Sequence, residues 1–381
     1  MHYLDHAATT PVLPEVADEM LRVMTSDFGN PSSVHTAGRR ARTVVEDARD
    51  RVAAAVGAAP GEIVFTGGGT EADNLAIKGA AHKRRGDGNH VVVTAFEHHA
   101  VLDAARALTQ NGFEVTKVPV EPDGSVDPQK VAEAIRPSTV LASAMTVNNE
   151  IGTVQHLAAI GEAVRAVNPR TLVHTDAVQA LGNVPVDLHS WGVDLAAFAA
   201  HKAGGPKGVG ALFARAPVAI EPVAHGGGQE RGLRSGTHNV AGIAGFGIAA
   251  EVAAKEVHEK SDRLLGLRDR LLGGIRAIVP DVVVNGRLDH RVAGNLNVCI
   301  PGTDGETMLL LLDQAGIACS SGSACASGAL DPSHVLLALG IPKKLAKGSL
   351  RFSMGRASTE EDVDAALAAL PEIVERARKV A

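Results

Sequence analysis

The sequence predicts an α/β protein: a large domain built on a mostly parallel mixed sheet covered by helices, and a smaller α+β domain after it. Three observations carry this. Short, near-continuous apolar runs alternate with helical patterns through the first two-thirds of the chain, the signature of parallel strands covered on both faces. After about residue 240 the alternation stops, and one long helical segment leads into scattered strands and helices. Glycine occurs 41 times without a collagen-like period, while aromatic residues make up only 3% of the 381 positions. Core volume must then come from Ala, Val, Leu and Ile, and the glycines mark tight turns and close backbone approaches.

The strands are predicted at 62–66, 90–94, 114–118, 139–144, 171–175, 195–199 and 209–214, each a short run rich in Val, Ile, Leu, Phe and Ala. Helical patterns fall between several of them, at 70–83, 99–110, 128–135 and 157–167. Sheets of this kind place ligands at the carboxyl ends of their strands. The second part reads as a long helix over 240–278, broken near Gly273 and Gly274, then strands at 282–285 and 294–300 and a helix at 305–314. A Ser/Gly/Ala loop at 320–328 follows, then a strand at 349–353 and a helix at 359–377. Acidic residues open that last helix (Glu360, Glu361, Asp362) and basic ones lie at its far end, as the helix dipole favours. No repeat or low-complexity linker separates the two parts.

Composition excludes several classes. The chain carries 37 basic and 43 acidic residues, a net −6, which argues against a protein that wraps a polyanion. Its three cysteines, Cys299, Cys319 and Cys325, are too few and too scattered for a disulfide framework, and no C-x-x-C pair offers a zinc site. Such sparse usage suits a reducing, cytoplasmic setting. Met1 to Asp5 lack the basic and apolar regions of a signal peptide. The longest apolar stretches fall short of the roughly 20 residues that a membrane helix needs. A soluble cytoplasmic enzyme is the expectation.

Five segments carry chemistry. Phe65-Thr66-Gly67-Gly68-Gly69-Thr70 runs from a strand end through three glycines into a helix, with Thr70 read as its cap. Free N–H groups at such a start can hold an anion, although the absence of G-K-[ST] excludes a P-loop; a plain capped turn explains the segment equally well. Asp176 ends the strand His174-Thr175-Asp176, where cofactors bind, though an N-cap role alone would account for it. Lys202 follows the buried-looking run Phe198-Ala199-Ala200-His201, and a lysine at a core strand end is rarely there for packing. It can serve as an amine nucleophile; Lys207, in the loop beyond, suits a surface role. Cys325 lies among small residues with no apolar period, as accessible reactive cysteines do, whereas Cys299 sits in an apolar run and reads as core, and Cys319 as structural. Arg351 alternates with apolar neighbours on a strand and suits a carboxylate clamp, against a plain structural ion pair. A lysine, an acid and an anion cradle at neighbouring strand ends are together what pyridoxal 5'-phosphate (PLP) requires.

With these residues the chain resembles the cysteine desulfurases of the NifS/IscS type, within the class V aminotransferase, fold type I group. The resemblance runs nearly end to end. It includes Tyr3-Leu4-Asp5-His6-Ala7-Ala8-Thr9-Thr10-Pro11, Gly29-Asn30-Pro31-Ser32-Ser33, the glycine cradle, Glu97-His98-His99-Ala100-Val101 and Asn148-Asn149-Glu150-Ile151-Gly152. It continues through His201-Lys202, Gly226-Gly227-Gly228-Gln229-Glu230-Arg231, Arg234-Ser235-Gly236-Thr237 and Ser320-Ser321-Gly322-Ser323-Ala324-Cys325. The last motif points to the NifS/IscS branch rather than the SufS branch.

The resemblance implies conversion of L-cysteine to L-alanine with a persulfide left on Cys325. Lys202 would hold PLP covalently and move the substrate Cα proton. Asp176 would face the ring nitrogen, Gln179 and Asn149 the ring oxygen, and His98 would stack on the ring and assist proton transfer. Gly69, Thr70 and His201 would hold the phosphate, joined by Thr237 from the second subunit of a homodimer. Arg351 would clamp the substrate carboxylate, with Asn30 beside it. The domains would span 15–255 for the large PLP-binding part, and 1–14 with 256–381 for the small part bearing the nucleophile loop. Sulfur would pass to an acceptor protein, for iron–sulfur assembly, tRNA thiolation or DNA phosphorothioation, and the net charge of −6 implies a protein relay rather than direct nucleic-acid contact. The alternatives are a selenocysteine lyase, another class V enzyme such as an aminotransferase, or a non-catalytic scaffold. Two positions depart from the family. Ala199 stands where a serine is frequent, which predicts slightly weaker cofactor retention, and His6 stands where asparagine is common, which alters the substrate mouth.

Overall fold

The computed structural model describes residues 1–321 and 332–380. In chain order its elements are β1 (His2–Tyr3), α1 (Pro14–Ser26), α2 (Thr36–Ala55), β2 (Ile63–Thr66), α3 (Gly69–Lys83), β3 (His90–Thr94), α4 (His99–Thr109), β4 (Glu114–Val118), α5 (Pro128–Ala134), β5 (Thr139–Ser143), α6 (Leu157–Val167), β6 (Leu172–Asp176), β7 (Leu195–Ala199) and β8 (Gly210–Ala214). Then follow α7 (Val240–Ile278), β9 (Val283–Val284), β10 (Asn295–Cys299), α8 (Gly305–Gln314), β11 (Ile317–Ala318), α9 (His334–Ala338), α10 (Lys343–Ala346), β12 (Ser349–Ser353) and α11 (Glu360–Val380).

The main sheet has seven strands in the order β2-β8-β7-β6-β5-β3-β4. Its inner pairs β7–β6, β6–β5, β5–β3 and β3–β4 are parallel, and only β8 runs against its neighbours. The sheet is therefore mixed but mostly parallel, as the alternation of apolar runs and helical patterns predicts. Successive residues feed opposite cores. On β2, β3 and β8, Phe65, Val92 and Phe213 join one core with Val45 and Val52 of α2, Ile160 of α6 and Phe246 of α7. Their neighbours Val64, Val91 and Leu212 join the other, with Leu75 of α3 and Leu108 of α4. Both faces being apolar, these strands are buried throughout, which is why they read as continuous runs.

A smaller antiparallel sheet, β12-β10-β9, packs with α8, α11 and the distal half of α7 around a separate core that includes Leu264, Leu271, Leu296, Phe352 and Ile373. The N-terminal strand β1 pairs with β11, so the chain start is tied to the strand that follows α8. Two expectations need correction. The helix over 240–278 passes Gly273 and Gly274 without a break. Gly274 is a contact point instead: a Cβ there would fall 2.5 Å from Leu367 of α11. Likewise Thr70 is not the cap of its helix. Gly68, at φ 152°, takes that position and Gly69 begins α3. Among the described residues no helix is long and apolar enough to cross a membrane.

Candidate active site

The carboxyl ends of β2, β6 and β7 open on one edge of the main sheet, and the residues singled out from the sequence gather there. Behind β2, Gly67 to Thr70 line a depression together with Glu71, Asn74, His201 and Lys207. The helix start is bare by necessity: a Cβ on Gly69 would fall 2.5 Å from Val178 Cγ2. Glu71 braces it, taking the Gly67 amide at 2.6 Å and Arg234 at 2.8 Å. His201 points its Nδ1 at Thr9 Oγ1, 3.1 Å away. Burial, with Lys202 and Lys207 nearby, pushes its ring down to about 4, so at neutral pH it offers an N–H and no charge. Lys207, expected to be a surface residue, is exposed but lines this depression and supplies the cation.

Lys202 follows β7 in a short helical turn, and its Nζ donates to the carbonyls of Ala7 at 2.6 Å and Ala8 at 2.8 Å. Gln179 Nε2 donates to the same Ala7 carbonyl at 2.9 Å. Lys202, Gln179 and Asn149 line a cavity of about 350 Å³, with His6, Lys260 and Asn295 on its walls. His6, the second departure from the family, packs edge-on to Tyr3 and is pushed down to about 4 by burial and by Lys260.

Asp176 closes β6, buried, with Oδ1 accepting the Val178 amide at 2.9 Å, so it also caps the turn that follows. Burial raises its carboxyl above the ordinary range, against the pull of His98, the Val178 amide and Lys202. His98 opens α4, and its Nδ1 accepts the Ala100 amide at 3.1 Å, which leaves the ring proton of the neutral form on Nε2. Burial holds that imidazole below its usual value. The loop bearing it is pinned by Asn148 Nδ2 to the Phe96 carbonyl at 3.0 Å and by the Met145 amide to Glu97 Oε1 at 2.8 Å.

Arg351 is buried on β12. Its Nη1 donates to the Asn149 carbonyl at 2.9 Å and its Nη2 pairs with Asp5 at 2.7 Å, while Nε has no partner among the described residues. Thr237 and Asn30 are not brought to these residues by contacts within the chain. Thr237 is exposed on the loop before α7. Asn30 is exposed too, its Oδ1 accepting the Ser32 amide at 2.9 Å.

Cys325 lies outside the described residues. The residues flanking that stretch are both tied to the site. Ser320 pairs with Arg351 through backbone bonds, and the Ser349 hydroxyl donates to the Ser321 carbonyl at 3.0 Å. On the far side Ser333 donates to Glu150, and His334 Nε2 lies 2.9 Å from the Glu97 carbonyl, next to His98. The other cysteines are unsuited to thiolate chemistry: burial pushes Cys299 up to about 11 and Cys319 to about 12.

Asp5, Thr10, Asn148 and Ser333 were not assigned from the sequence. Each acts through a partner more than 40 positions away, so no local spacing marks it; Asp5, Thr10 and Asn148 lay inside quoted motifs, but with no role of their own.

The class-V aminotransferase family profile matches residues 2–366. A protein named cysteine desulfurase IscS from Clostridium botulinum is 47% identical over 380 residues, 99% of this chain and 95% of that one. A solved structure described as a NifS-like protein superposes with a TM-score of 0.93 at 38% identity, over 98% of this chain and 99% of the other. A second, described as SspA in complex with cysteine, gives 0.82 at 34% identity over 93% and 99%. A profile match over nearly the whole length, joined to this fold and this arrangement of strand-end residues, makes the chain a member of the class-V aminotransferase family.

Proposed function

We propose that the chain is a cysteine desulfurase that uses PLP, converting L-cysteine to L-alanine and leaving the sulfur as a persulfide on Cys325. The observation that carries this is the convergence of the Lys202 amine, the buried Asp176 carboxyl and the bare start of α3 on one sheet edge. The relatives' names point the same way, as does the cysteine bound to SspA. The donor set fits the cofactor. The amine can bond its aldehyde carbon, and the buried carboxyl, raised by desolvation, would regain its charge opposite a ring N–H. The α3 start, with His201 N–H and the Lys207 cation, suits its phosphate. When bound, PLP supplies the electron sink for charge developing at the substrate Cα.

The chain's own residues do the rest. Arg351 holds the substrate carboxylate, with Asn30 beside it, and Gln179 and Asn149 hydrogen-bond the ring oxygen or its surroundings. Lys202 Nζ takes the Cα proton, and neutral His98 stacks and relays protons at Nε2. The Cys325 thiolate then attacks the substrate γ-sulfur. The S–S bond forms as the substrate Cβ–S bond breaks, and that bond's electron pair stays with the three-carbon fragment, which takes up a proton and leaves as alanine. Cys325 keeps the sulfur as a persulfide, a reversible state of the thiol, until a protein acceptor removes it.

We further place the enzyme in the cytoplasm as a homodimer, with Thr237 of a second copy completing the phosphate site. The domains are 15–255 and 1–14 with 256–381. Purified protein loaded with PLP, given L-cysteine and a reductant but no keto acid, forms alanine and sulfide in equal amounts on this reading. Alanine that appears only when a keto acid is added would instead mark an aminotransferase.

A further inference from the structure

A buried cluster beneath Asp176 plays no part in the chemistry above. His174 precedes Asp176 by two positions on β6, so both side chains leave the strand on the same face. Asp73, on the second turn of α3, places Oδ1 at 3.4 Å from His174 Nε2. Among the described residues neither of those atoms has a hydrogen-bond partner, and the contact between them is a long one. The remaining ring nitrogen, Nδ1, lies 2.9 Å from Ser143 Oγ on β5. Glu97 completes the cluster: Oε1 accepts the Thr94 hydroxyl at 2.6 Å and the Met145 amide, while Oε2 is buried without a partner. Asp73, His174, Ser143, Glu97 and Asp176 are all buried.

Three ionised carboxylates in one dry pocket would repel one another with no water to screen them. The nearby cation favours only one of the three. Lys202 acts on Asp176, whereas Asp73 feels Asp176 and Glu97, both of which oppose its ionisation. Burial and that repulsion push Asp73 well above its ordinary range. Burial, with Asp176 adding to it against the Thr94 and Met145 hydrogen bonds, takes Glu97 to about 8. Burial takes His174 the other way, to about 3, so its ring is neutral and must split its two nitrogens between one donor and one acceptor.

We infer that Asp73 is a neutral acid that keeps its proton and turns its O–H toward Nε2 of a neutral His174, whose Nδ1–H donates in turn to Ser143, so that Asp73 adds no charge beneath Asp176. Asp73, His174 and Ser143 are then positioning residues. They fill the space under the strand end with uncharged polar groups, and they leave the ring-facing charge to Asp176. The opposite arrangement, Ser143 donating to Nδ1 and Nε2–H donating to an ionised Asp73, would put a second negative charge below the ring and raise the proton affinity of everything above it. The inference rests on the reading of Asp176 as the partner of the cofactor nitrogen.

Two readouts test it on cofactor-loaded protein, neither of which needs turnover. Nitrogen-15 NMR of histidine-labelled protein, with His174 identified through its proximity to Ser143, gives a neutral ring protonated on Nδ1 across the neutral range. A ring protonated on Nε2, or on both nitrogens, overturns the inference. The absorbance of the bound cofactor is also titrated in Asp73→Asn, where a neutral amide donor replaces a neutral acid donor. The expected midpoint is that of the unaltered protein; a shifted midpoint means that a charge was removed and overturns the inference. Should the protein take up no cofactor, the NMR measurement still decides the state of the pair, and the failure belongs to the cofactor reading alone.

Discussion

Asp5 Oδ1 lies 2.7 Å from Nη2 of Arg351, a pair that ties the first residues of the chain to the last strand of the small sheet across 346 positions. The Arg351 side chain is 2% exposed and that of Asp5 19%, so the pair is buried at the arginine end and open at the carboxylate. With Nη1 on the Asn149 carbonyl, the guanidinium is fixed in plane while its Nε has no partner among the described residues. Such a fork is preorganised for a substrate carboxylate, which would share it with Asp5 or displace Asp5 from it.

Arg351→Lys keeps the charge and loses the fork. Charge-assisted hydrogen bonds contribute about 1.5–3 kcal/mol, so kcat/KM for cysteine should fall roughly 10- to 100-fold, chiefly through KM. Steady-state kinetics measures the fall, and absorbance checks that the cofactor stays bound. An unchanged KM would remove Arg351 from substrate binding.

Ala199 ends β7 beside the cradle: a Cβ on Gly69 would lie 3.5 Å from that of Ala199. Ala199→Ser adds a hydroxyl at this place. One net hydrogen bond of about 0.5–1.5 kcal/mol corresponds to a Kd for the cofactor lower by roughly 2- to 10-fold. Equilibrium dialysis followed by absorbance measures it, and weaker retention in the serine variant would contradict the prediction.

Glu230 joins the loop before α7 to α2 and β2, bonding Arg49 at 2.8 Å, His238 at 2.8 Å and the Phe65 amide at 2.8 Å. Burial alone would raise its carboxyl, but the bonds from Arg49 and His238 outweigh burial and hold it down at about 2, from an ordinary 4.5. A carboxyl lowered on folding stabilises the protein above its ordinary value, and that contribution is lost as the pH falls from about 4.5 through about 2. Glu230→Gln removes the buried partner of Arg49 and leaves it only the exposed Glu46, 3.1 Å from Nε, a loss of about 3 kcal/mol at neutral pH, the low end for breaking a buried pair. Denaturant unfolding at neutral pH and in acid should show a gap to the unaltered protein that narrows as the acid limit is approached. A gap independent of pH would mean that the ion pair is not its source.

Much of this was legible in the sequence because both sheet faces are buried. Six apolar runs mark six strands, while the half-polar Glu114–Val118 marks the more exposed edge strand β4; β3, β4 and β7 match their predicted bounds. Strand ends followed by Gly67–Gly69, Asp176 and Lys202 marked the site for the same reason, since charged or bare residues stand out after such runs. The first helices did not stand out. In α2 the buried stripe Ala41, Val45, Ala48 and Val52 is diluted by Arg, Asp and Glu on the outer face. The two-residue strands β1 and β11 have no period to detect. Gly273-Gly274 misled because glycine signals a break locally, whereas Gly274 serves a neighbour nearly a hundred positions away. Partners such as Asp5 for Arg351 arise only from the fold.

Whether Cys325 receives the sulfur, as proposed, is decided by mass spectrometry of the enzyme after one exposure to L-cysteine without an acceptor. One added sulfur is expected on the peptide bearing Cys325, with alanine released in equal amount, and neither in Cys325→Ser, which keeps its bound cofactor. Sulfur found on Cys319 or Cys299, or alanine formed undiminished by Cys325→Ser, would contradict it.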